Sequence, residues 1–163
     1  MKVKIKPRVL KGTIEIPPSK SYSHRAVIGA SLATSEKKSK ISNLKFSMDI
    51  KATMEIMENW GAKIIKGENS LEIIGNSGKI IPKDKYTKCS ESGSTIRFLI
   101  PVGLTSKNEL VFDGKGKLVD RPLDSYYKIF EKQGLFYETT DGKLPLTVNG
   151  ELKPGIYEID GNI

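Results

Sequence analysis

Three short stretches of the sequence set hydroxyls, glycine and cations where a helix is expected to begin. In Pro17-Pro18-Ser19-Lys20-Ser21-Tyr22-Ser23-His24-Arg25, two prolines stop an extended segment and a run of serines follows. A helix N-terminus carries free N–H groups and partial positive charge, so it suits a phosphate or a carboxylate. Lys20 and Ser21 would stand at its mouth, with Arg25 one turn further in and able to grip an oxyanion through two parallel N–H groups. An ordinary serine-capped helix would look the same, so this stretch alone leaves both readings open.

The second stretch is Ser90-Glu91-Ser92-Gly93-Ser94-Thr95-Ile96-Arg97. Gly93 permits close approach of a ligand to the backbone, and the amides that follow could form a second anion cradle. Arg97 is either part of that cradle or a structural partner for a carbonyl or an acid. The third is Asp120-Arg121-Pro122, which puts an Arg at the entrance of a helix, where a bidentate contact and a plain surface Arg are both possible. No Gly-x-x-x-x-Gly-Lys phosphate loop occurs, and Gly114-Lys115-Gly116-Lys117 fits neither that nor a dinucleotide fingerprint.

These stretches must be positioned by secondary structure, and the chain repeats one supersecondary unit. The segments GTIEIPPSKSYSHRAVIGASLA and YTKCSESGSTIRFLIPVGL each read as a strand, a Ser-rich turn and a helix, with Arg25 and Arg97 72 residues apart. A second strand, a second helix and a strand pair follow in each copy, closed by Gly75 and Gly150. Ile50, Met54, Met57 and Trp60 form one helical stripe over residues 48–60, and Leu123, Tyr126, Tyr127 and Phe130 another over 122–133. Asp120 is the expected cap of the latter helix and Pro122 its first turn, while Gly61 and Gly134 suit left-handed C-caps. The pattern is β-α-β-α-β-β, an α/β fold (α+β in some schemes). A third copy is expected to open with a strand from Gly155, and because the sequence stops shortly afterwards it reads as part of a longer polypeptide.

Composition narrows the classes. The chain has 163 residues, 27 Lys plus Arg against 19 Asp plus Glu, one His and one Cys. One His and one Cys argue against a zinc site and an internal disulfide, and no apolar run is long enough for a membrane helix. With no recognisable signal peptide, a cytoplasmic location is expected. The first forty residues hold ten of the cations and two of the acids, which accounts for the whole net charge of +8. That bias permits a nucleic-acid or RNA-end binding module as an alternative function. Aromatics are not interleaved with those cations as a base-stacking platform requires, and a solvated lysine-rich surface explains most of them.

In order along the chain, Pro-Ser-Lys-Ser-x-Ser-x-Arg at 18–25, Glu-Ser-Gly-Ser-Thr-x-Arg at 91–97 and Asp-Arg-Pro-Leu at 120–123 resemble the 5-enolpyruvylshikimate-3-phosphate synthase family. The resemblance covers the entire chain, which would correspond to a little over the first third of a member. It implies the inside-out barrel fold of the enolpyruvyl transferases, with two domains of three β-α-β-α-β-β units and the active site between them. About two units of one domain would be present. Residues 1–18 would belong to the second domain and 19–163 to a partial first domain. Unit one would run to about 80, unit two from about 81 to 150, and the start of unit three over 151–163.

The resemblance implies transfer of the enolpyruvyl group of phosphoenolpyruvate to the 5-hydroxyl of shikimate 3-phosphate, with release of phosphate and with no metal or organic cofactor. The route is protonation of the phosphoenolpyruvate methylene, attack by the hydroxyl, then loss of phosphate. Carried over by motif, Lys20 would contact both substrates as the catalytic residue. Ser21 and Arg25 would hold shikimate 3-phosphate, and Gly93 and Arg121 phosphoenolpyruvate. The commoner family pattern has Asn where Glu91 stands and Thr where Ser94 stands. A Glu beside an anion is electrostatically unfavourable, so Glu91 is expected to turn outward or to pair with a cation. The family's acid/base carboxylates and Ser-Ser-Gln clamp would lie beyond Ile163, so the 163 residues are expected to be inactive alone. The full enzyme is expected to be a monomer. Residues 3–9 read as a strand whose normal partner would be in the second domain, and with the uncovered apolar surface this leads one to expect self-association of the isolated chain or disorder at its ends.

Overall fold

The computed structural model describes residues 3, 4, 6, 7, 9 and 11–159. The expected strand over residues 3–9 includes Ile5 and Arg8, and the third copy includes residues 160–163, all outside the described residues. Both helical stripes read from the sequence are core. Ile50, Met57 and Trp60 are fully buried along helix α2 (Met48–Asn59), and Phe130 is buried along α4 (Asp124–Gln133).

The repeat is explicit in the sheets. In the first copy, β1 (Ser39–Ile41), β2 (Lys63–Lys66) and β3 (Leu71–Ile74) form an antiparallel sheet in the order β1-β3-β2, with Ser39 opposite Ile73. In the second, β4 (Tyr86–Lys88), β5 (Leu110–Asp113), β6 (Phe136–Thr140) and β7 (Lys143–Asn149) form the order β4-β5-β7-β6, with β4 parallel to β5. The helices α1 (Lys20–Leu32), α2, α3 (Gly93–Gly103) and α4 alternate with these strands.

Two corrections follow. The opening strand expected over residues 12–16 is not formed, nor is a strand formed over 155–159. Ile14, Ile16 and Ile156 are instead strongly exposed. A strand is stable only when a neighbour takes its N–H and C=O groups, and neither segment has one among the described residues. The helix read over 122–133 begins at Asp124, and its cap position is Leu123, with no side-chain cap bond. Asp120 does not cap it: its carboxylate accepts a 2.7 Å bond from Lys143 Nζ, which raises the lysine's pKa.

Two buried clusters hold the layers together. The smaller joins Val27 of α1, Ile50 and Met54 of α2, and Leu71 and Ile73 of β3. The larger joins Met57 and Trp60 at the far end of α2 to Leu99 and Ile100 of α3, Phe112 of β5, Phe130 of α4 and Leu146 of β7. Helix α2 therefore belongs to both copies, and its two ends lie in different cores. Among the described residues, no helix is long and apolar enough to cross a membrane.

Candidate active site

Three helices start at one place, and the local sequence explains how. Ser19, Ser47 and Ser92 stand at the N-caps of α1, α2 and α3, each accepting a hydrogen bond at its hydroxyl from the amide three residues on, Tyr22, Ile50 and Thr95. Each cap satisfies one of the free N–H groups of its first turn and leaves others available to an anion. The first turns are tied together across the helices. Lys20 Nζ lies 2.6 Å from Asp49 Oδ2 of α2. The backbone oxygen of Asp49 in turn accepts from Thr95 Oγ1 of α3 at 3.3 Å.

The expected site residues fall into two groups across this junction. On α1, the exposed Arg25 guanidinium donates back to the backbone oxygen of Ser21 at 3.2 Å and to its hydroxyl. It also covers the Phe98 ring of α3, 4.9 Å from the centroid, so it reaches across to the second group. On α3, Gly93 opens the helix under two guanidiniums. A methyl group at this position would collide with Arg121 Nη1 and stand 3.0 Å from Arg97 Nη1. Both atoms are the ends of flexible side chains that can step aside, so here the glycine leaves the backbone open beneath two cations. Arg97 is a structural partner, donating from Nη2 to the Pro122 carbonyl oxygen at 3.3 Å.

Glu91 turns outward. It is exposed, its carboxylate lies against Gly116, about 3 Å from where a Cβ there would stand, and it makes no ion pair among the described residues. The lone Cys89, just before α3, is fully buried, and burial together with the Asp113 charge pushes its thiol up to about 12. It has no thiolate to offer as a nucleophile.

Sequence reasoning missed the buried part of the site. His24 is fully buried between α1 and α2, with Nδ1 2.8 Å from Thr53 Oγ1. Thr53 Oγ1 is 2.8 Å from Thr95 Oγ1, which donates to Ser92 Oγ at 2.7 Å. Among the described residues, His24 Nε2 has no partner. Burial, reinforced by the Lys20 and Arg25 charges and opposed by Asp49, lowers the imidazole pKa below its ordinary 6.5. The hint was in the sequence, where His24 lies inside the first serine-rich stretch, but its partners are 29 and 71 residues away.

The geometry offers helix N-termini and the side chains of Lys20, Arg25, Arg97 and Arg121 to anions, and backbone at Gly93 to a close approach. Against this background, the family model described as EPSP synthase (3-phosphoshikimate 1-carboxyvinyltransferase) matches residues 5–163. The 3-phosphoshikimate 1-carboxyvinyltransferase of Clostridium kluyveri is 50% identical over 161 residues, 99% of this chain and 37% of its own length. That of Clostridium acetobutylicum is 51% identical over 166 residues, 99% and 38% respectively. The solved EPSP synthase of Acinetobacter baumannii superposes with a TM-score of 0.75 at 23% identity, covering 85% of this chain and 32% of that one, a likeness of fold. The chain spans 37–38% of the length of the curated relatives it matches.

Proposed function

The chain belongs to the EPSP synthase family, and from that premise we propose that it supplies one wall of a site that transfers the enolpyruvyl group of phosphoenolpyruvate to the 5-hydroxyl of shikimate 3-phosphate. A proton adds to the methylene carbon of phosphoenolpyruvate, the hydroxyl oxygen bonds to the adjacent carbon, and phosphate leaves with its C–O bond electrons. The double bond reforms as that methyl carbon loses a proton. The work of this chain is to gather two polyanions and hold them in register, which cations and helix N-termini do by lowering the electrostatic cost of their meeting.

In this reading Ser21 and Arg25 hold shikimate 3-phosphate, Gly93 and Arg121 hold phosphoenolpyruvate, and Lys20 touches both. The single observation that carries it is the convergence of the Arg121 and Arg97 guanidiniums on Gly93 at the start of α3, where no Cβ intervenes. The domain division read from the sequence, with residues 1–18 apart from 19–163, belongs to the same proposal. So do a cytoplasmic location, a monomeric full-length enzyme and self-association of the 163 residues alone, which light scattering tests.

Calorimetric titration of shikimate 3-phosphate into the chain is the direct experiment. Binding should be saturable, and Arg25→Ala should weaken it by about 10- to 100-fold, the worth of a charge-assisted hydrogen bond. Absence of binding by the unmodified chain would remove the proposal. Phosphate release from the two substrates by the 163 residues alone is expected to be undetectable, and turnover would show that this one wall suffices.

A further inference from the structure

The first turns of α1 have little apolar packing to set their position. Their buried side chains are Ser23 and His24, both polar, and the buried apolar side chains begin only at Val27. Ser23 Oγ donates to the Ser19 backbone oxygen within its own helix at 2.8 Å. His24 is therefore the buried side chain of this region that bonds to a different helix among the described residues. Through Thr53 it reaches Thr95 and the cap of α3, so one hydrogen-bond chain crosses all three helix starts.

Counting protons gives this chain a direction. Each hydroxyl has one proton to donate. Thr95 Oγ1 has two acceptors, Ser92 Oγ at 2.7 Å and the Asp49 backbone oxygen at 3.3 Å, and Thr53 Oγ1 has two of its own, Thr95 Oγ1 at 2.8 Å and the same Asp49 oxygen at 3.3 Å. Both threonine protons have acceptors without His24, whereas an imidazole protonated at Nε2 would leave that N–H buried without an acceptor among the described residues, so His24 donates from Nδ1 to Thr53 and Nε2 is bare. A second proton on Nε2 would find no acceptor among the described residues either. The imidazole stays neutral and the polarity of the chain stays fixed.

We propose that His24 is a positioning residue: through Thr53 and Thr95 it fixes the α1 turn bearing Lys20, Ser21 and Arg25 relative to the α3 turn bearing Gly93. It is fully buried, so it acts on bound anions only through these turns. The inference takes its ligand from the function proposed above. A displacement of about 1 Å in such a constellation can cost up to about a hundredfold in rate or binding.

The test pairs disrupting with conservative variants. His24→Leu and Thr53→Val should each weaken shikimate 3-phosphate binding about tenfold or more. His24→Asn, whose amide nitrogen stands where Nδ1 stood, and Thr53→Ser should restore it to within about threefold. Thr87→Val, at a buried threonine whose hydroxyl has no partner, should change nothing. Nitrogen NMR of the unmodified chain should show a neutral imidazole protonated at Nδ1. Equal affinities across the series, or protonation at Nε2 instead, would overturn the proposal. If the unmodified chain binds neither shikimate 3-phosphate nor inorganic phosphate, the functional reading fails. The positioning role then stands or falls on the Gly93 and Ser94 amide resonances, which must move in His24→Leu and return in His24→Asn.

Discussion

The two copies of the repeated unit use the same plan and arrive at different sheets. In the second copy β5 lies between β4 and β7, and Leu110, Val111 and Phe112 are buried in succession. Its counterpart β1 pairs only with β3 and is three residues long, with no position fully buried. The opening segments differ accordingly: residues 86–88 form β4, and 12–16 form no strand. A strand with neighbours on both sides, covered on both faces, can be apolar throughout, whereas an edge strand is half solvated and alternates. The same plan thus yields a firm half and a softer half.

The contrast can be broken at its strongest point first. Phe112→Ala should cost about 3–5 kcal/mol, since its fully buried ring meets Trp60 edge-on at 6.5 Å and nothing nearby can fill the space. Ile41→Ala in the matching strand should cost only about 1 kcal/mol. Denaturant midpoints read both, and equal losses would mean the halves are equally firm. The glycines that close the units separate the copies next. A Cβ on Gly75 would press on backbone of Ala33 and stand 2.9 Å from the Ala30 oxygen, whereas one on Gly150 would meet only the Leu135 side chain, 2.7 Å away, and there the positive φ of 127° rather than a backbone clash calls for glycine. Gly75→Ala should therefore destabilise by about 1–3 kcal/mol, because backbone cannot step aside. A thermal melt unchanged by it would show that the end of α1 is mobile.

Titration probes the first copy alone, which holds the histidine. The unfolded chain takes a proton on His24 near 6.5 and the folded chain does not until lower pH. Stability should be flat above about 6.5 and fall as the pH drops toward the lowered folded value. Urea midpoints between pH 8 and 5 read this slope, and His24→Asn should remove it. The smallest effects belong to the exposed pairs, Lys38–Glu72 on the first sheet and Lys85–Glu109 on the second. Lys38→Ala and Lys85→Ala should each change stability by about 0–1 kcal/mol, less at high salt. A clear difference between them would show that sheet rigidity reaches the surface charges.

What could be read from the sequence was local. The stripe Ile50, Met54, Met57, Trp60 and the serine-rich helix starts depend on spacing within a turn or two, and both are present. The start of α4 was misplaced by two residues because Asp120 is drawn away to Lys143, a partner 23 residues distant. The silence of the opening strands was unreadable for the same reason: whether residues 12–16 pair depends on a neighbour, not on their own alternation. Lys20, Arg25, Gly93 and Arg121 are legible by residue type as candidate anion ligands, and the structure brings Arg121 to Gly93 at the start of α3. The His24–Thr53–Thr95 chain was not, since each link spans 29 or 42 residues.

Cys89 supplies a built-in clock. Its sulfur is wholly enclosed, one residue beyond β4 and four before Gly93, and its reluctance to ionise makes it slow toward disulfide reagents while the fold is closed. Labelling therefore counts the excursions in which the edge beneath the start of α3 comes apart, and a ligand that clamps this place should lengthen the interval between them.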